Sequence, residues 1–354
     1  GGQVGGGGGA QGVGGSHRII VAPRVARRTA LATALPYSPA MPTEYLPSRV
    51  AKSTFLPLRG LQYHLHTWGD ASLARPDRPP LVLLHGWMDV GASFQFVVDA
   101  LSTADGFDRW VIAPDWRGFG LTATPGADTY WFPDYLGDLD ALLDAVLGAV
   151  GWTGPVDLLG HSMGGNVVMS YAGVRPSRIR RLVNLEGFGL PETHPRQAPG
   201  RLAKWLDELK QPATLRSYDS LQAVAERLLQ NNPLLTPDKA AWLAPHWSRQ
   251  DSAPGGDGRW HILGDPAHKR VNPVLYRKDE VLETWKLITA PVLWAEGNLT
   301  DTTQWWGHRY PRSDFEARLA VVPQLQRERL SPCGHMLHHD QPAALAGHLA
   351  RFLA

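Results

Sequence analysis

A single cysteine, Cys333, closes off one class of architecture at the outset: no internal disulfide can form, so the chain must stabilise itself through a buried apolar core. Long apolar runs are missing too, none reaching the ~18 residues that a membrane span needs. A soluble, cytoplasmic protein without a membrane span is the expectation. Charge of one sign is equally scarce, since 35 Lys and Arg oppose 33 Asp and Glu for a net charge of +2. That balance gives no basis for a nucleic-acid surface. Acidic residues are absent before Glu44, where a glycine run (Gly5 to Gly9) is followed by Arg18, Arg24, Arg27 and Arg28. Residues 1–48 therefore read as a disordered Gly/Arg-rich tail that cannot bury enough apolar surface to offset its ordering entropy. Its origin stays open between a cloning remnant, an overlong gene start and an organelle-targeting segment.

What remains is a chain with 43% hydrophobic residues, enough for a substantial core. Phe55 to Leu58 and Leu61 to Trp68 read as a hairpin across Arg59-Gly60. Leu81 to Leu84, Trp110 to Ala113, Val156 to Leu159, Arg181 to Leu185, Pro291 to Ala295 and Gln326 to Leu330 read as strands. Helical patterns over Ser93 to Leu101, Tyr130 to Leu147 and Pro342 to Leu353 alternate with them. Short connections between strands and helices predict a mostly parallel sheet with helices on both faces. The strand signal disappears between about Pro191 and Thr284, where helix-like segments (Leu202 to Leu209, Leu221 to Leu229, Lys239 to Leu243) predict an α-helical insertion. Trp205, Trp242, Trp247 and Trp260 fall in it, either as the apolar underside of a lid over a pocket or as the packing of the insertion's own small core.

The stretch from Val156 to Tyr171 carries the chemistry. It reads as a buried strand, a turn holding G-x-S-x-G at Gly160, Ser162 and Gly164, and a helix. A serine on so sharp a turn needs neighbours without bulk, and the free N–H groups of the following helix point back toward it. Ser162 is thus a candidate nucleophile, with the amide of Met163 positioned to stabilise a developing oxyanion.

With this elbow, the His85-Gly86-Trp87-Met88-Asp89 turn and the Gly334-His335 pair with Asp340 and Pro342, the sequence resembles the α/β-hydrolase superfamily. Residues 49–190 and 285–354 correspond to its core and 191–284 to a lid insertion. The first turn looks like that of serine-hydrolase-like enzymes. Leu185-Glu186-Gly187-Phe188 looks like haloalkane dehalogenases, which however attack with an aspartate where this chain has Ser162. The resemblance implies His335 as general base and the amides of Trp87 and Met163 as oxyanion donors. It offers two positions for the orienting acid. Glu186 directly follows the strand after the elbow helix and is favoured; Asp301 lies slightly past the other position, where the chain has Gly297-Asn298, and an N-cap role explains it as well. His338, His339 and His85 read as bystanders, Asp115 and Arg117 as braces of their loop, and Cys333 as a small buried thiol.

The reading that follows is a serine hydrolase acting on a small, largely apolar ester or related acyl compound through an acyl-enzyme, with no metal or organic cofactor. Carbon–carbon bond hydrolysis of a vinylogous diketone on the same residues, and a non-catalytic ligand-binding protein of the same fold, are the alternatives. Oligomeric state is not legible.

Overall fold

The computed structural model describes residues 44–104 and 107–354. Eleven strands are defined among them: β1 (Lys52–Leu58), β2 (Leu61–Trp68), β3 (Leu81–Leu84), β4 (Val111–Pro114), β5 (Val156–His161), β6 (Ile179–Leu185), β7 (Ser217–Tyr218), β8 (Ser248–Gln250), β9 (Trp260–Ile262), β10 (Val292–Gly297) and β11 (Leu325–Leu330). The helices are α1 (Gln95–Ser102), α2 (Phe132–Gly148), α3 (Met163–Val174), α4 (Ala198–Leu209), α5 (Leu221–Asn231), α6 (Pro237–Trp247), α7 (Lys278–Lys286), α8 (Thr303–Trp306), α9 (Arg312–Leu319), α10 (Leu337–Asp340) and α11 (Pro342–Leu353). An eight-stranded sheet runs in the order β1-β2-β4-β3-β5-β6-β10-β11. The β1–β2 hairpin and the β2–β4 pair are antiparallel, and every other neighbour in it is parallel.

Side-chain alternation builds the two layers around that sheet. In β3, Val82 and Leu84 join the core formed with α2 and α3, while Leu81 and Leu83 join the one formed with α1 and α11. All four are fully buried, which is why the strand is an unbroken apolar run. α11 buries Leu345, Ala346, Leu349, Phe352 and Leu353, a stripe at helical spacing laid against the sheet, and Pro342 starts it where its missing N–H costs nothing. The central strands β5 and β6 sit side by side between β3 and β10, so their C-terminal ends open into the same crevice.

The segment between β6 and β10 departs from the expected all-helical insertion. It contains α4, α5 and α6, but also a small antiparallel sheet in the order β7-β9-β8. Those strands are two or three residues long, too short for a period-two pattern to show. α5 and α6 bury Val224, Ala225, Leu228, Ala240, Leu243 and Ala244 in a third cluster that also takes Val90, Ala92 and Phe96 from the core, with Trp242, Trp247 and Trp260 packed on it. These three tryptophans therefore serve the insertion's own packing. α7 straddles the expected end of the insertion at residue 284 and returns to the sheet, where Trp285 is fully buried in the main core.

Of the expected N-terminal tail, residues 1–43 lie outside the described residues. Residues 44–48 run along α1, with the Tyr45 hydroxyl and the Ser48 amide donating to Asp99. Among the described residues no helix is long and apolar enough to cross a membrane.

Candidate active site

β5 ends at His161, and the chain reverses directly into α3 at Ser162, whose φ of 52° and ψ of −113° place it in a region that few side chains tolerate. Two glycines make this possible. A Cβ on Gly160 would stand 2.3 Å from the Gly164 carbonyl, and one on Gly164 would stand 2.1 Å from the Leu84 carbonyl. The turn is pinned from both sides: Ser162 N–H donates to the Leu185 carbonyl at 2.8 Å, and the Ser162 carbonyl accepts from Asn166 at 3.1 Å. Ser162 itself stays half-exposed.

The loop after β3 closes against this elbow. A Cβ on Gly86 would be only 3.1 Å from Ser162 Cβ, so the backbone leading to Trp87 passes immediately beside the serine. His85 is fully buried and occupied, donating from Nδ1 to the Gly86 carbonyl and accepting at Nε2 from the Trp116 amide, both at 2.8 Å. It is a turn residue, as the sequence suggested. The amide of Met163 is the first of α3, so the helix gives it no acceptor. The Trp87 indole is 45% exposed at the rim.

Glu186 and His335 meet. The carboxylate lies at the end of β6, fully buried, with its Oε2 2.6 Å from His335 Nδ1. The Gly297 amide donates to Oε1 at 2.7 Å and the Thr300 hydroxyl to Oε2 at 3.0 Å. Burial raises the Glu186 carboxyl, to about 8, against the pull of these two donors, and lowers the His335 imidazole to about 4. The Gly297 and Thr300 donors favour the ionised carboxyl in opposition to its burial, and on that ionised form Nδ1 carries the hydrogen and Nε2 the lone pair. His335 Nε2 makes no hydrogen bond among the described residues.

Asp301 is elsewhere. It is exposed, one residue before the N-cap Thr302 of α8 rather than at the expected N-cap, and Oδ1 accepts from the Thr303 amide at 3.0 Å and the Thr303 hydroxyl at 2.5 Å. The position just past β10 where the resemblance offered an aspartate is taken by Asn298, whose Oδ1 accepts from the Cys333 amide at 3.0 Å and so holds the histidine loop. The same loop is tied by the Gly334 amide donating to Asp340 at 2.7 Å. Burial pushes the Cys333 thiol up to about 12, which leaves it inert at neutral pH.

Sequence reasoning missed the packing around His335. The ring lies 4.6 Å from Trp305, edge to face, and 4.8 Å from His161, which itself donates from Nε2 to the His335 carbonyl at 2.8 Å. Behind His161 stand His338 and His339, both buried and each held well below its ordinary pKa by that burial. His161 sits inside the G-x-S-x-G motif, which is the one signal that could have marked it. Asp115 accepts from the Gly91 and Leu121 amides and from His64, and Arg117 clasps Asp138 through two nitrogens, so both hold their loop in place.

Comparison with known proteins shows the family of this fold. Residues 79–342 match the family model described as the alpha/beta hydrolase fold, and the chain belongs to that family. A serine hydrolase-like protein of Dictyostelium discoideum is 24% identical over 83% of this chain and 79% of its own length. The 2-hydroxy-6-oxo-2,4-heptadienoate hydrolase of Pseudomonas putida is 33% identical over 37% of this chain and 43% of its own. Among solved structures, a thioesterase domain from the curacin biosynthetic pathway superposes with a TM-score of 0.69 at 25% identity, covering 85% of this chain and 99% of that one. The fold and these relatives define a hydrolase of the α/β class.

Proposed function

We propose that this hydrolase uses Ser162 as nucleophile, His335 as general base and Glu186 as the acid that orients it, on a small, largely apolar ester or related acyl compound. The observation that carries this reading is the 2.6 Å contact between Glu186 and His335 Nδ1, which leaves Nε2 to serve the serine. His335 Nε2 takes the Ser162 proton as Oγ attacks the acyl carbon. The negative charge on the substrate oxygen falls to the amides of Met163 and Trp87. Collapse expels the alcohol, protonated by His335, and leaves an acyl-Ser162 ester. Water, deprotonated by the same imidazole, then releases the acid and restores the serine. Residues 49–190 and 285–354 carry this chemistry, and residues 191–284 shape access to it. Exposed Trp87 and Trp305 at the rim favour an apolar substrate.

A fluorophosphonate probe tests the assignment: it should label Ser162, identified by peptide mass spectrometry, and fail on Ser162→Ala. Folded wild-type protein that takes no label at Ser162 would remove the proposal. The Pseudomonas putida relative favours a second reading, hydrolysis of a carbon–carbon bond in a vinylogous diketone by the same residues. Side-by-side assay of aryl esters and a ring-fission diketone separates the two, since turnover of the diketone alone would select the second.

A further inference from the structure

Apart from Ser162, a group of imidazoles faces a cavity that this chemistry does not use. His64 and His66 are two residues apart on β2, so strand alternation projects both from one face, with ring centroids 4.6 Å apart and nearly perpendicular. His246, in the last turn of α6, brings its ring to 6.2 Å from that of His66. All three line a cavity of about 210 Å³, together with Ser53 and Asp115. His64 donates from Nδ1 to Asp115 Oδ2 at 2.8 Å, so its lone pair is on Nε2, which accepts the Ser53 hydroxyl at 2.7 Å. His66 is 8% exposed, and its ring nitrogens make no hydrogen bond among the described residues. Neither nitrogen is sealed from solvent, so a ligand in the cavity can reach both.

We propose that this cavity is a site for a divalent transition-metal ion of the zinc type, held by His64 Nε2, His66 and His246, with Asp115 as the carboxylate that orients His64. The donor set decides the class of ion: three neutral imidazoles suit zinc and its neighbours, whereas magnesium and calcium require oxygen ligands. An imidazole backed by a carboxylate on its far nitrogen is the usual arrangement at such centres, because the carboxylate fixes the tautomer and strengthens the donor. Potential ligand atoms of His64, His66 and Asp115 lie within 4.8 Å of one another, while His246, outside that compact group, reaches the ion by turning its ring across the cavity it also lines. Water or the Ser53 hydroxyl completes the fourth position. Arg249 also lines the cavity and opposes a dication, an effect the Asp115 charge offsets. His64 and His66 belong to the central sheet and His246 to the insertion, so a bound ion staples one to the other. A second group, Asp89, His161 and His338, is as compact, but neither of the two described cavities reaches it.

The test titrates zinc chloride into tag-free, chelator-stripped full-length protein against a chromophoric chelator, with thermal unfolding recorded in parallel. One equivalent should bind with micromolar or tighter affinity and raise the melting temperature. His66→Gln and His246→Gln should each weaken binding by at least about tenfold, and His338→Gln should leave it unchanged. His246 is half-buried at a helix end, so its variant serves if His66→Gln does not fold. Absence of micromolar binding overturns the site, as does binding that survives both variants. Loss of binding in His338→Gln would move the ion to the group beside Ser162 and overturn it equally.

Discussion

The crevice at the ends of β5 and β6 and the insertion above it obey different physics. In the crevice the acid and the elbow are held from several sides: Glu186 is reached by the Gly297 amide, the Thr300 hydroxyl and the His335 ring, Ser162 is pinned through both its N–H and its carbonyl, and two glycines remove bulk where backbones nearly touch. The insertion holds one small apolar cluster, and α4 buries none of its residues fully, leaving Leu202 and Leu206 45% and 52% exposed. Chemistry needs placement to a fraction of an ångström, so it is built on strand ends. Substrate choice needs only surface of suitable shape and polarity, which helices without a fully buried face can supply.

The sharpest break of this comparison is at the acid. Glu186→Gln preserves shape but favours the wrong imidazole tautomer, an effect of about 10⁴ in kcat in the serine-protease precedent. Steady-state turnover should fall by that order while the circular-dichroism spectrum is unchanged, and Asp301→Asn, in an exposed turn, should retain activity within a few-fold. Equal losses in the two variants would undo the assignment. Next in size is the core itself: Leu349→Ala, in the stripe of α11 against the sheet, should cost about 2–5 kcal/mol in urea unfolding.

Acid sensitivity comes third. His161 is held at about 3 by burial and by the neighbouring His335, and burial keeps His338 and His339 well below their ordinary values. The folded state thus binds fewer protons than the unfolded chain, so stability is full above the unfolded histidine pKa near 6.5 and declines as pH falls from there toward the folded values. Each such histidine contributes a slope of up to about 1.4 kcal/mol per pH unit. Melting temperature should drop steadily below pH 6.5, and His339→Phe should flatten the curve; a pH-independent melting point from 6.5 to 4.5 would contradict this account. The smallest effect belongs to the insertion, where Leu206→Ser should shift stability by no more than about 0.5 kcal/mol. If α4 borders the substrate path, the same variant changes KM more than kcat.

Much of the frame was legible because its signals are local. Fully buried strands read as apolar runs, and the elbow advertises itself through Gly160, Ser162 and Gly164 within five residues. Glu186 was readable as one of two candidate acids, beside Asp301, through its place immediately after β6. The small sheet of the insertion was not, since strands of two or three residues carry no periodicity. Nor was the ring packing of His161, Trp305 and His335, which joins segments far apart in the chain.

By itself, then, the sequence determined the order of strands and helices, the sharp turn at Ser162 and the supply of a histidine near the C-terminus, because backbone sterics and apolar periodicity act between near neighbours. Which carboxylate faces His335 was decided only in three dimensions. Asp301 and Glu186 are both acids beside strand ends, and the choice depends on β6 lying next to β10, where the Gly297 amide and the Thr300 hydroxyl can solvate a buried charge for Glu186. Asp301, out in solvent, satisfies itself on the nearest amide of its own turn.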